Sequence, residues 1–153
     1  MTDDNDKAHM RAAIAASREA KAAGDMPYGA ALAAPDGTLL HVSRNRQKTS
    51  GDCTAHAEVV LIREAAARLG AKALAGATVY ASGEPCAMCA GALHWAGVAR
   101  VVFGVRNDTI MRVGGPPTMA IPCARVFAAG SNVVVVDGPL LEDEAVAVIA
   151  GQG

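Results

Sequence analysis

The stretch ATVYASGEPCAMCAGALHWAGVARVVFGV, residues 77–105, has the pattern of strand, helix and strand in immediate succession. Residues 77–82 and 100–105 are short apolar runs, and Pro85 suits the first turn of a helix between them. Two strands joined by a helix run parallel, with a right-handed crossover. This stretch therefore predicts a locally parallel sheet with helices on both faces.

The flanking segments extend this pattern in both directions. The sequence predicts helices at 6–24, 55–69, 86–97, 123–129 and 141–150, and strands at 28–34, 38–44, 77–82, 100–105 and 132–136. The first two strands form a hairpin over the turn at 35–37, and residues 45–52 and 107–122 are predicted to be loops. Val59, Ile62 and Ala66 are predicted to face the core. The predicted fold class is α/β, a three-layer α/β/α architecture around a mixed sheet of about five strands.

Composition restricts the class of protein. A chain of 153 residues suits one domain, predicted here to span residues 1–153. The net charge of −1 indicates no general attraction to nucleic acid or anionic membrane. No apolar run reaches the length of a membrane span, and the acidic N-terminus lacks the order of a secretory signal. A cytosolic protein is therefore predicted.

Four residues carry a pattern typical of metal chemistry. Cys86 and Cys89 are three apart at a predicted helix start, and His56 lies at the start of the preceding helix. Two thiolates and an imidazole suit Zn²⁺ and leave one tetrahedral position open, as in catalytic sites. A water or hydroxide bound there would be a nucleophile, and Glu58, two residues from His56, could take its proton. The sequence thus predicts one catalytic zinc per chain.

Two other interpretations stay open on these residues alone. Cys53 could join His56, Cys86 and Cys89 in a closed Cys₃His site that is purely structural and leaves Glu58 without a role. Cys86 and Cys89 could instead form a redox pair. A non-catalytic protein with a structural zinc is therefore kept as the alternative of another class.

The two motifs resemble those of a known family. TAHAE at 54–58 together with SGEPCAMCAGAL at 82–93 resembles the cytidine deaminase-like superfamily. The similar branch contains guanine deaminases, fungal-type cytosine deaminases and tRNA adenosine deaminases. The resemblance implies that His56, Cys86 and Cys89 bind zinc and that Glu58 shuttles protons. The implied reaction is hydrolytic deamination of an aminated ring to its keto form with release of ammonia.

The resemblance also implies a set of substrate contacts. Asn45 occupies the position, eleven residues before His56, where the family has an Asn that contacts the base; a loop-capping role is the alternative. The backbone at Ala57 and at 82–84, with Ser82 and Glu84, is expected to line the pocket. Asp108 follows the strand at 100–105, where relatives place substrate-facing residues, and it either contacts an amino group or caps the loop.

The evidence on the substrate is divided. MPYGA at 26–30 and Trp95, six residues after Cys89, resemble the free-base enzymes, and an aromatic ring at Trp95 could stack on a base or pack within the helices. The acidic C-terminal region disfavours a phosphate-rich partner, whereas RVVFGVRND at 100–108 resembles the tRNA enzymes. We therefore expect a small aminated heterocycle, with guanine as the first candidate and wobble adenosine of tRNA as the alternative.

Two predictions concern surfaces. The resemblance implies a homodimer, in which the Ala-rich helix at 86–97 packs against its copy. The Gly/Pro-rich residues 114–122, called here the lid segment, are predicted to cover the pocket or to form an interface.

Overall fold

The structure, a computed structural model, describes residues 2–119 and 121–151. It has a five-stranded sheet with strand order β2-β1-β3-β4-β5. The strands are β1 Gly29–Ala33, β2 Leu39–Arg44, β3 Thr78–Gly83, β4 Arg100–Val105 and β5 Val135–Asp137. β1 pairs antiparallel with both β2 and β3, whereas β3–β4 and β4–β5 are parallel. The predicted mixed sheet of five strands is confirmed.

Helices cover both faces of this sheet. They are α1 Asp4–Ala22, α2 Gln47–Ser50, α3 Ala57–Leu69, α4 Ala87–Ala96, α5 Asn107–Arg112, α6 Cys123–Ala128 and α7 Glu142–Ile149, with a 3₁₀ turn at Ala71–Ala73. One apolar cluster joins α3, α4 and α6 to the sheet, and a second joins α1, α5 and α7 to it. Since these clusters share no fully buried residue, the two layers are distinct, as the α/β/α prediction requires.

Some sequence predictions were wrong in detail. α5 lies inside the segment 107–122 that was predicted to be a loop, α2 lies inside the predicted loop 45–52, and β5 begins at Val135 rather than at 132. The buried apolar face of α3 consists of Ala57, Val60, Leu61 and Ala65; of the predicted core residues, Ile62 and Ala66 are partly buried and pack against this core, whereas Val59 is partly buried and does not belong to that cluster. Because the side chains of Ala57 and Ala65 are small, this face of α3 can lie close to the sheet.

The absence of a side chain at Gly29 also sets the packing. A Cβ atom at this position would lie 2.1 Å from the carbonyl oxygen of Ala13 in α1. β1 can therefore lie directly against the backbone of α1 only with glycine here. This contact fixes the position of the start of β1. Tyr28, the residue directly before this strand, lines the candidate site.

A charge network ties α1 to β4 and β5. Arg100 donates from Nη1 and Nη2 to the two carboxylate oxygens of Asp6, at 2.8 and 3.0 Å, and from Nε to Asp137 at 2.8 Å. Tyr80 also donates to Asp6. The hydrogen bonds from Arg100 outweigh the effect of burial and lower the pKa of Asp6 to about 2. Asp6 is thus ionised, and its ion pair with Arg100 holds α1 against β4.

Asp6→Asn is expected to lower the free energy of unfolding by about 2 kcal/mol at pH 7, since the folded state holds this pKa about two units below its usual value. A lowered folded pKa contributes stability above the unfolded pKa of about 4 and loses it as the pH falls towards 2. Urea unfolding of both proteins at pH 7 and near pH 2.5 measures this. An equal difference at the two pH values would contradict the assigned role.

Candidate metal centre and active site

Three potential metal ligands meet at the starts of two helices. His56 is the N-cap residue of α3, Cys86 is the N-cap residue of α4, and Cys89 lies in the first turn of α4. The Nδ1 atom of His56 is 3.6 Å from Sγ of Cys86 and 3.5 Å from Sγ of Cys89. Zinc bonds of about 2.3 Å to sulfur and about 2.0 Å to nitrogen place tetrahedral ligands about 3.6 Å apart. The donor atoms and their spacing fit zinc.

The other two cysteines lie outside this group. Among the residues that the structure describes, the ligand atoms that come within 4.8 Å of one another belong to His56, Cys86 and Cys89. Cys53 is exposed, and Cys123 is buried at the start of α6. The closed Cys₃His arrangement is therefore not formed. With three protein ligands, a tetrahedral ion keeps a position for a further ligand, which is the arrangement of catalytic sites.

The environment favours the thiolate form of Cys86. Hydrogen bonding from the Cys89 thiol is the main reason that the pKa of Cys86 falls to about 4, and His56 adds to it. The pKa of Cys89 rises, because it donates this hydrogen bond and is buried. The interaction with Cys86 also raises the pKa of His56. The three groups thus share protons, and a cation bound between them would displace those protons.

Glu58 lies beside this group and is 6% exposed. It occupies the first turn of α3, where the helix dipole favours a carboxylate. Burial opposes the dipole and raises the pKa of Glu58 to about 7, and the negative charge of Cys86 adds to the increase. Because burial has the larger effect on this pKa, Glu58 can hold or release a proton near neutral pH, as a general acid and base requires.

A cleft of about 540 Å³, a volume that includes open solvent, is lined by His56, Glu58 and Cys86, whereas Cys89 is fully buried and does not line it. The cleft lies where β3 and β4 end and where α3, α4 and α5 begin, the usual place for a ligand in an open α/β sheet. Its other walls come from three parts of the chain. They are Met26, Tyr28, Asn45 and Gln47 near the hairpin, Ala57, Gly83, Glu84, Asn107 and Ile110 at element ends, and Pro116, Pro117 and Thr118 of the lid segment.

The loop that carries Asn45 is fixed by a buried carboxylate. Asp25 accepts hydrogen bonds from the backbone N–H groups of Lys48 and Thr49, both at 2.9 Å, from the Thr49 hydroxyl and from Arg44. Burial raises the pKa of Asp25, but these hydrogen bonds outweigh it and leave the pKa lowered. An ionised Asp25 therefore holds α2 against the end of β2. This positions the cleft wall at Asn45.

Asn45 caps its loop and also lines the cleft, and its contact with a substrate stays a prediction. It is 1% exposed and lines the cleft. Its Oδ1 accepts from the backbone N–H of Gln47 at 2.9 Å, and its Nδ2 donates to the Gln47 side chain at 2.7 Å. An amide oxygen accepts two hydrogen bonds and an amide nitrogen donates two. Asn45 thus caps its loop and keeps capacity to contact a ligand.

Glu84 performs a structural task that its sequence position does not indicate. Its Oε1 accepts from the backbone N–H of Asn107 at 2.9 Å, and its Oε2 accepts from that of Cys123 at 2.8 Å. These are the first residues of α5 and α6, whose free N–H groups need an acceptor. One carboxylate, two residues before Cys86, thereby fixes both ends of the segment that contains the lid.

The predicted substrate contacts divide into two groups. Asn45, Ala57 and Glu84 line the cleft, whereas Ser82, Trp95 and Asp108 do not. The Ser82 hydroxyl oxygen accepts from the backbone N–H of Gly29 at 3.0 Å, inside the sheet. Trp95 is 85% exposed, with His94 edge-on at 5.0 Å, and Asp108 is exposed on α5. Asn107, one position earlier, takes the place in the wall that was predicted for Asp108.

Several wall residues escaped the sequence analysis. The side chains of Tyr28, Gln47, Asn107 and Ile110 were not predicted to line the pocket, although Tyr28 is part of the MPYGA motif. Pro116, Pro117 and Thr118 belong to the lid segment and do line it. The one available signal was positional, since Asn107 lies two residues after the end of β4, a strand of the parallel pair, where ligand-facing residues concentrate.

Comparison with known proteins agrees with this class of site. The fold, the ligand group and the buried carboxylate define a zinc-type hydrolase. A sequence model described as the cytidine and deoxycytidylate deaminase zinc-binding region matches residues 3–105. The chain belongs to this family, whose members are hydrolases that act on C–N bonds of nucleobases or nucleosides. The predicted family and fold are confirmed.

Individual relatives represent all three branches of that family. The chain is 34% identical to the probable cytosine deaminase of Schizosaccharomyces pombe over 150 residues, which is 94% of this chain and 89% of that protein. It superposes on the guanine deaminase of Nitrosomonas europaea with a TM-score of 0.76 and 27% identity, covering 97% of this chain and 84% of the other. A structure from work on A-to-I editing by tRNA:A34 deaminases has a TM-score of 0.75 and 32% identity, with coverages of 92% and 98%.

Two further observations complete the comparison. The chain spans only about a fifth of the length of the Deinococcus tRNA(Ile)-lysidine synthases that it also matches. Within residues 2–119 and 121–151, no helix is both long enough and apolar enough to cross a membrane.

Proposed function

We propose that this protein is a zinc-dependent hydrolytic deaminase of a small free nucleobase or related heterocycle, with guanine as the first candidate. One observation carries the catalytic part of the proposal. Glu58 is buried and lines the same cleft as His56 and Cys86, which together with Cys89 form a group of three ligands that leaves a fourth coordination position. A purely structural zinc site has no use for such a carboxylate, which is costly to bury.

The residues divide the chemistry between them. His56, Cys86 and Cys89 would hold the zinc, which when bound supplies the activation of a water molecule near neutral pH. Glu58 would move two protons in turn: one from the water to the ring nitrogen beside the amino-bearing carbon as the water oxygen bonds to that carbon, and a second from the resulting hydroxyl to the departing amine. A C–O bond forms, the C–N bond breaks, and the nitrogen leaves as ammonia. Asn45 and Ala57, which also line the cleft, orient the ring.

The charge of the cleft supports a small neutral substrate. None of the described residues that line it is Lys or Arg. Phosphate groups are bound mainly by such cations and by helix N-termini. The N-termini of α3 and α4 face the metal ligands, and Glu84 occupies those of α5 and α6. The cleft therefore suits a base better than a nucleotide.

The choice of guanine rests on similarity rather than on Trp95. The exposed position of Trp95 removes the stacking argument for a guanine enzyme. Support for guanine comes from the MPYGA motif and from the superposition on the Nitrosomonas enzyme. The full-length similarity to a probable cytosine deaminase makes cytosine the second free base to test. The tRNA wobble adenosine is the alternative, favoured by the 32% identity to an A34 deaminase structure.

Ammonia release by zinc-loaded protein tests the proposal. The panel contains guanine, adenine, cytosine, isocytosine and other aminated heterocycles, their nucleosides, and an anticodon stem-loop with a wobble adenosine. We expect one free base to be turned over with kcat/KM of about 10⁴ M⁻¹s⁻¹ or more, and its nucleoside at least about a hundredfold less efficiently, as expected for a site that depends on a hydrogen bond the nucleoside lacks. Turnover of the stem-loop alone would replace this proposal by tRNA editing.

The homodimer and the cytosolic location stay predictions. The outward face of α4 presents Met88, Gly91, Ala92 and the exposed Trp95, small or apolar residues that suit close helix packing. Sedimentation velocity of the wild-type protein and of Trp95→Glu would check the dimer, which the charged variant should weaken. A monomeric wild-type protein would contradict it.

A further inference from the structure

Asn107 is a buried amide in the wall of the cleft whose side-chain oxygen has no hydrogen-bond partner. It is 3% exposed, and it lines the same space as Glu58, His56 and Asn45. Among the buried side-chain nitrogen and oxygen atoms of residues 2–119 and 121–151, the one without a hydrogen-bond partner is Oδ1 of Asn107. Buried acceptors without a partner are rare in proteins because they lose their hydration, so an exception calls for a functional explanation.

The orientation of the amide is fixed by its neighbours. The backbone N–H of Asn107 donates to Glu84 at 2.9 Å, and its Nδ2 donates to the carbonyl oxygen of Ile121 at 3.4 Å. Exchanging the amide oxygen and nitrogen would point Oδ1 at that carbonyl oxygen, an acceptor facing an acceptor. The contacts therefore assign the nitrogen to the carbonyl oxygen of Ile121, in the lid segment, and leave the oxygen without a partner in a side chain that lines the cleft.

We infer that Asn107 is a specificity-determining residue, whose Oδ1 accepts a hydrogen bond from a ring N–H of the free base. The inference rests on the proposed function and identifies which form of the substrate the same cleft selects. A free base keeps an N–H at the ring nitrogen that carries the sugar in a nucleoside. Glycosylation removes this donor and leaves the buried oxygen unpaired. A site built to pair with a substrate donor discriminates strongly against an analogue that lacks it.

Three other polar side chains of the wall already accept hydrogen bonds. Both carboxylate oxygens of Glu84 accept from helix N–H groups. Oδ1 of Asn45 accepts from Gln47, and Oε1 of Gln47 accepts from Asn45. Compared with these three residues, Asn107 is the one whose side-chain oxygen holds no hydrogen bond.

The test measures binding without turnover. Zinc-loaded Glu58→Gln protein is titrated calorimetrically with guanine and 9-methylguanine, and with cytosine and 1-methylcytosine. We expect the better-bound base to bind about tenfold to a hundredfold more tightly than its methylated form, the range for leaving a buried acceptor unpaired. Adding Asn107→Leu should weaken base binding by a similar factor and abolish the preference. Adding Asp108→Asn, on the exposed side of α5, should change neither affinity.

The outcomes separate this inference from the proposed function. If Asn107→Leu weakens the binding of the base and of its methylated form equally, or leaves the preference unchanged, Asn107 does not recognise the ring N–H. The proposed deamination is not contradicted by that result. A preference for the nucleoside over the free base would also overturn the inference, because the donor would then be a sugar hydroxyl. If the preference responds as expected but wild-type protein releases no ammonia, the inference stands and the proposed catalysis fails. Absence of binding by any of the bases overturns both.

Discussion

Glu58→Gln is expected to lower kcat for the substrate identified in the panel by about a thousandfold or more while zinc stays bound. Gln has the shape of Glu but cannot take a proton from water near neutral pH. One positioned acid or base contributes about 10²–10⁴ to a rate, and Glu58 is assigned two successive proton transfers. Substitution also removes the cost of a buried carboxylate, visible in its raised pKa of about 7. The folded protein should therefore be no less stable.

The measurement combines steady-state kinetics, zinc content by atomic absorption and thermal unfolding of the same samples. Glu64→Gln is the matched control, since Glu64 lies on the same helix but accepts hydrogen bonds from His41 and Ser43, outside the cleft. It should change kcat by less than about threefold, as expected of a residue without contact to the reacting groups. A kcat of Glu58→Gln within about tenfold of the wild-type value would contradict the role of Glu58 in proton transfer.

Cys89→Ala is expected to abolish both zinc retention and turnover. The Cys89 sulfur is fully buried and lies 3.5 Å from Nδ1 of His56, so no other described thiol is placed to replace it. Loss of one of three protein ligands should lower zinc content after dialysis from about one per chain to below about a tenth, because metal affinity depends on the full ligand set. The melting temperature should fall too, since zinc bound only to the folded state stabilises it.

Cys53→Ser is the matched control and also tests the structural-zinc alternative. Cys53 is exposed and lies outside the ligand group. Its loss should leave zinc content, melting temperature and turnover at wild-type values. If Cys53→Ser lost zinc as Cys89→Ala does, the metal would have four protein ligands, and the site would be a closed structural one. Zinc analysis of the three proteins after equal dialysis decides between these arrangements.

The sequence by itself determined the chemistry at the starts of α3 and α4. His56 and Glu58 are separated by one residue, and Cys86 and Cys89 by two, so a single helical turn fixes each pair. The i, i+3 spacing places Cys86 and Cys89 on one side of a helix turn, and the position at helix starts puts all four residues at the ends of their elements. The alternation of strands and helices determined the layered α/β architecture in the same local way, because each element carries its own apolar pattern.

Only the tertiary structure decided the rest of the pocket. α5 and α6 begin where Glu84 accepts their first N–H groups, across 23 and 39 residues of chain, and no local pattern announces such a contact. The same contact turns Asn107 rather than Asp108 into the cleft. The fold likewise placed Trp95 at the surface and Ser82 inside the sheet. Local sequence specifies what a helix start can bind, whereas the partners of a wall residue depend on which distant segments the packed sheet brings together.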